Sequence, residues 1–138
     1  MKPIVIFASL ALATALVLPA QAQVVILSAK NPMSKITKEQ VAQIFLGQSK
    51  TFISGGQAEP LDLPEGSELR TAFYQKALNK PPAQMKAYWS KMEFSGNAHP
   101  PKALSSAEVV KLVSENPKYI GYVEASAVTP GVKVVLTL

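Results

Sequence analysis

The chain has 138 residues, 14 of them Lys or Arg and 9 Asp or Glu, with a formal charge of +5 and no cysteine. The missing thiols exclude disulfides and thiolate zinc sites, so apolar burial must hold the fold together. The cations are scattered lysines plus one arginine, Arg70, unlike the concentrated Arg-rich face of a nucleic-acid binder, and no nucleic-acid partner is expected.

Residues 1–22 read as a signal peptide. Lys2 is the basic start, Ile4 to Leu18 the apolar run, and Ala20-Gln21-Ala22 the small-x-small cleavage pattern. The mature chain is then expected from Gln23, exported to the periplasm and without a membrane anchor after cleavage; the alternative is an uncleaved anchor. No later run is long enough to cross a bilayer. Residues 23–138 suffice for one domain with one core.

Val24-Val25-Ile26-Leu27 is an unbroken β-rich run, suited to a strand covered on both faces of a parallel or mixed sheet. Ser28 to Pro32 closes it in a polar loop. Loops at the carboxyl ends of strands are where open α/β sheets place ligands, so Ser28 and Asn31 are candidate ligand-facing residues. A Thr37-x-x-Gln40 capping box with an Ile36–Val41 staple starts a helix, and Gly47 is placed to end it in a left-handed cap. Thr51-Phe52-Ile53 reads as a short strand, Ser54-Gly55-Gly56 as a turn, and Glu59 to Leu63 as extended chain whose Pro60 argues for an edge or a strand start.

Leu63-Pro64-Glu65-Gly66-Ser67 is a strand end followed by a tight turn. Ser67 is an N-cap, and Leu69, Ala72, Phe73 and Ala77 then share one face of a helix running to about Leu78. A helix mouth carries free N–H groups and partial positive charge, a physical reason to bind an anion. Gly66 and Ser67 would supply backbone and hydroxyl donors, and Arg70 the charge. Asp62, Glu65 and Glu68 cluster here too and read as a solvated acidic loop.

Asn79 to Pro82 breaks the chain before a helix over Ala83 to Glu93. Its stripe of Met85, Tyr88, Trp89 and Met92 reads as core rather than as a stacking box. His99 sits alone in the loop to Lys102, without the partners of a metal ligand or a general base. A second capping box, Ser105-x-x-Glu108, opens a helix that Asn116-Pro117 stops. Tyr119 to Val123 is a strand in which Gly121 signals a close approach. Val132, Val134, Leu136 and Leu138 alternate in a last strand. Strands alternating with helices give an α/β fold with a mixed, mostly parallel sheet. No Cys nucleophile, partnered His, glycine-rich nucleotide loop or cluster of metal-binding acids is present, so neither an enzyme nor a cofactor is expected.

Gln43-Ile44-Phe45-Leu46-Gly47, Phe73 after a Ser-capped helix mouth, and Asn116-Pro117-x-x-Ile120-Gly121-Tyr122-Val123 come in one order over most of the mature chain. They resemble blocks of the phosphate-binding proteins of ABC transporters, two-lobed type II periplasmic binding proteins. The resemblance implies one α/β lobe, a small oxyanion such as phosphate as ligand, an ABC permease as partner, and a homodimer or separate partner lobe to close on the ligand. It implies ligand contacts from Ser28, Asn31, Gly66, Ser67 and Arg70. The family motif Arg-x-x-x-Ser-Gly-Thr is altered: Leu63, Glu68 and Leu69 stand at its Arg, Gly and Thr. That removes charge-assisted donors worth roughly 1.5–3 kcal/mol each, with Arg70 one turn in as the compensating charge. The alternative expectation is a periplasmic protein-interaction module that kept the lobe and lost the ligand.

Overall fold

A computed structural model describes residues 22–138. The expected signal peptide lies, apart from Ala22, outside the described residues. Five strands form one sheet in the order β3-β2-β4-β1-β5: β1 Gln23–Ser28, β2 Glu59–Asp62, β3 Lys102–Ala103, β4 Tyr119–Glu124 and β5 Val132–Thr137. β2 pairs in parallel with β3 and β4, whereas β1 is antiparallel to both β4 and β5. Four strands therefore share one direction and β1 alone is reversed, a mixed sheet of mostly parallel sense.

Every residue of β1 is buried, as its unbroken apolar run requires of a strand covered on both faces. Helices supply the cover: α1 Lys38–Phe45, α2 Glu68–Phe73, α3 Pro82–Phe94 and α4 Ser106–Glu115. Gly121 and Tyr122 are neighbours on β4, so they point to opposite faces. On the Gly121 face lies α4. A Cβ built on Gly121 would stand 2.4 Å from Val109 Cγ1, and this gap is what lets α4 reach the sheet. On the other face Tyr122 stacks on Phe73 of α2, ring centroids 3.7 Å apart and 4° from parallel, and Phe45 of α1 meets both rings edge-on.

The Thr37 capping box forms in full. Gly47 follows α1 at φ +71, and its position against Ala98 and Trp89 leaves no room for a Cβ. Several expectations are corrected. Ser105 accepts from the Glu108 N–H, but Glu108 uses its carboxylate on the Ser105 hydroxyl instead of on the backbone, so that box is half made. Thr51 makes only an isolated bridge to Gln57 rather than a strand. Lys102–Ala103, expected to close a loop, adds a short parallel edge to β2. The helix to Leu78 is α-helical only to Phe73 and continues as a π turn over Tyr74–Leu78, ended by Asn79 at φ 54. The alternation of β5 is broken by a bulge: Val25 pairs Leu136 and Ile26 pairs Val134, leaving Val135 to accept from the Ile36 N–H and turn inward.

Candidate functional site

The mouth of α2 forms as its sequence predicts. The Ser67 N–H donates to the Pro64 carbonyl, closing the turn, and the Ser67 hydroxyl accepts from the Arg70 N–H at 3.4 Å. Gly66 is exposed at φ +89 with open space around it, a conformation in which glycine carries no steric cost.

Beneath this mouth lies a buried carboxylate. Asp62, 3% exposed at the end of β2, accepts from the Leu63 N–H at 2.8 Å and from the hydroxyls of Tyr74 and Tyr122. An ionised carboxylate is tolerated in a core when donors fill its lone pairs. Arg70 completes the group. Its Nε stands 3.8 Å from Asp62, a terminal nitrogen donates to the Leu63 carbonyl at 2.9 Å, and the guanidinium lies 5.1 Å over the Tyr74 ring. Burial, with the Asp62 charge second, pushes the ionisation of both tyrosines well above their ordinary range. Both phenols therefore stay protonated donors at neutral pH. The acidic cluster expected to be solvated is split: Glu65 and Glu68 are exposed, but Asp62 is core.

Arg70 is thus turned inward, its charge spent on Asp62 and Leu63. The facing residues are elsewhere. Ser28 is fully buried and accepts from the Lys30 N–H. Asn31, 4% exposed, accepts from the Met33 N–H and donates to the Pro117 carbonyl. Both shape their own loop. Because β1 is reversed, its start is the end near α2, where the Gln23 side chain donates to the Leu69 carbonyl. Ser28 lies at the other end of the strand, about 17 Å away at the ordinary rise per residue. The structure brings Gly66, Ser67 and Arg70 together and leaves Ser28 and Asn31 at the opposite end of the strands.

Sequence reasoning missed Asp62, Tyr74 and Tyr122 as a unit. The one local signal was an Asp held between Leu61 and Leu63 in an extended run, a position where a charge needs a partner. It also missed the cleft of about 240 Å³ between α2 and α3, which Gly66, Arg70 and Tyr74 line from one side and Met85, Lys86 and Trp89 from the other. The α3 stripe is core as expected: Met85 and Trp89 are buried, and Tyr88 donates to the Leu46 carbonyl at 2.6 Å. Trp89 also lines a second cleft of about 420 Å³, with Lys50, Gln57, Asn97 and His99 among its other walls. Among the described residues no group of acids and histidines could hold a metal, and no helix is long and apolar enough to cross a membrane.

No protein-family model and no curated protein matches the chain. Solved structures do. An ABC-type phosphate transport receptor of Vibrio cholerae superposes with a TM-score of 0.59 at 16% identity, over 83% of this chain and 45% of that one. A Clostridium perfringens protein described as a phosphate ABC transporter substrate-binding protein, solved with bound phosphate, gives 0.66 at 21%, over 83% and 44%. PstS of Borrelia burgdorferi gives 0.62 at 17%, over 83% and 46%. At these identities the likeness is one of fold. The chain spans less than half of each of these proteins, consistent with one lobe, and its α/β sheet is that of the family the sequence resembles.

Proposed function

We propose that the chain is an exported binding module, built on one lobe of the phosphate-receptor fold, that meets a protein partner through the face around the α2–α3 cleft rather than capturing phosphate at the mouth of α2. The inward turn of Arg70 onto Asp62 and Leu63 carries this reading. The only arginine is neutralised by a carboxylate beneath it, the exposed Glu65 and Glu68 flank the mouth, and Ser28 and Asn31 are too distant to close on an anion. Phe94, the last residue of α3 and next in sequence to Glu93 of the cleft wall, is 96% exposed, an apolar side chain offered to solvent. The signal-peptide pattern expected at residues 1–22 supports export to the periplasm.

Calorimetry of the mature chain with phosphate tests the first half: no heat is expected at millimolar ligand. A photo-crosslinking residue at Phe94 tests the second in intact cells. One defined adduct is expected, absent when the same probe replaces Glu115 on α4. Phosphate heat that vanishes in Arg70→Gln would overturn the reading.

The second reading is an oxyanion receptor working with an ABC permease, as a homodimer or with a partner lobe. The exposed, unobstructed Gly66 at a helix mouth favours it, as does the bound phosphate of the Clostridium perfringens neighbour.

A further inference from the structure

The stretch that follows the expected leader folds onto the far end of the chain. β1 pairs with β4 on one side and β5 on the other, and with no other strand. The residues around it are fastened the same way. The Ala22 carbonyl accepts from the Ala125 N–H at 2.8 Å and the Gln23 carbonyl from the Leu138 N–H at 2.9 Å. The Ala29 N–H donates to the Gly131 carbonyl and the Ile36 N–H to the Val135 carbonyl. Among the described residues, every backbone–backbone hydrogen bond by which residues 22–36 reach another part of the chain thus ends within residues 119–138. Contacts of such long sequence separation form late, because the entropy of closing the loop is lost before the contact rewards it. A chain made from its N-terminus holds its first strand unpaired until its last two arrive.

The same contacts close over the bond at which the leader is expected to be removed. Gln23 is 4% exposed, Val24 is wholly buried, and the Gln23 side chain donates to the Leu69 carbonyl at 3.2 Å. On the other side of that bond the Ala22 carbonyl is held by Ala125. A protease needs the bond it cuts extended, accessible and free to pair with the enzyme, so a bond inside a native sheet is cut only from an opened form. β1 lies in the interior of the sheet, so opening it means parting it from a neighbour on each side.

We infer that folding closes the processing site at Ala22–Gln23: the leader is removed while the chain is still open, and a precursor that folds first keeps its leader. Hydrolysis there breaks the bond between the Ala22 carbonyl carbon and the Gln23 nitrogen. Water supplies the oxygen of a new carboxylate on Ala22, and its protons leave Gln23 with a new ammonium. The late pairing of β1 is what leaves time for the cut. The inference rests on residues 1–22 being a removable leader and is independent of what the α2–α3 face binds.

Order of addition is the test, with the full 138-residue precursor and a purified signal peptidase in detergent micelles. Precursor diluted from urea straight into the enzyme is expected to be cut, with Gln23 found as the new first residue by mass spectrometry. Precursor left to refold before the enzyme is added should be cut at least about a hundredfold more slowly, the weight of the opening step. Gly121→Ala disturbs the contact between α4 and β4 without altering the leader or β1. It should speed the cutting of refolded precursor about tenfold and leave freshly diluted precursor cut as before. Asp62→Asn, which weakens the packing at the end of β2, should act in the same direction. Equal cutting of refolded and freshly diluted precursor, or a refolded rate that neither variant raises, would overturn the inference and leave the leader standing. Intact precursor under both orders of addition would instead remove the leader itself, and the inference with it.

Discussion

Tyr122 on β4 donates its hydroxyl to Asp62 on β2, sixty positions away in sequence, and the same tyrosine ring stacks on Phe73 of α2. One side chain thereby ties the end of β2, the middle of the sheet and the first helix after the Gly66 turn. The carboxylate it meets also anchors Tyr74 and lies beside Arg70, so the mouth of α2 is braced from within.

Asp62→Ala should remove the acceptor of two buried phenols and a backbone N–H at once. Breaking such a buried charged network costs about 3–5 kcal/mol. Urea unfolding of the mature chain measures it, and Asp62→Asn should cost less because one carbonyl acceptor remains. A loss under about 1 kcal/mol for the alanine variant would mean that the network adds little.

Alkaline pH should destabilise the fold. Tyr74 and Tyr122 both ionise above the ordinary value of 10.0 when folded, because burial and Asp62 disfavour the phenolate. Above that value the unfolded chain has lost protons that the folded chain keeps, so stability present below pH 10 falls as pH rises. The slope approaches roughly 1.4 kcal/mol per pH unit for each phenol. Urea midpoints between pH 9 and 11 should show the fall, and Tyr122→Phe should lessen its slope whatever it does to stability at pH 7.

Gly121→Ala should be poorly tolerated, although alanine suits a strand better than glycine. Its Cβ would meet Val109 Cγ1 at 2.4 Å, and overpacking of this kind costs about 1–3 kcal/mol. The double variant with Val109→Ala should recover part of what the two single changes lose separately. Strict additivity in thermal unfolding would deny that the two positions share the contact.

Phe94→Ser separates binding from folding. With the side chain almost wholly in solvent, the change should move stability by no more than about 0.5 kcal/mol. A neighbouring crosslinking probe, placed at Ser90, should lose its adduct in this variant if Phe94 anchors a partner. An unchanged adduct would remove Phe94 from the contact.

Much of the fold was legible because its signals are local. Thr37 with Gln40, Ser67 and the left-handed Gly47 mark helix ends through hydrogen bonds and dihedrals that span a few residues. The unbroken apolar run of β1 announces burial on both faces. Gly121 announced a close approach without naming Val109. Less legible were features without a pattern of their own. Lys102–Ala103 becomes a strand only because the edge of β2 is there to pair with it. Val135 turns inward at the bulge, where its carbonyl accepts from the Ile36 N–H of a segment about a hundred residues away, a pairing no local pattern announces.

The sequence by itself determined where the helices begin, which segments are apolar enough to fill a core, and that a serine-capped turn stands at residues 64–67. The tertiary structure alone decided which way β1 runs. Strand direction leaves no trace in the alternation of residues, since it is set by which neighbours a strand pairs with. That reversal put Ser28 and Asn31 at one end of the strands and Gly66, Ser67 and Arg70 at the other. It was likewise the packing of β4 against β2 that buried Asp62 beneath Arg70, and a charge in the core holds its counter-charge more firmly than one in water.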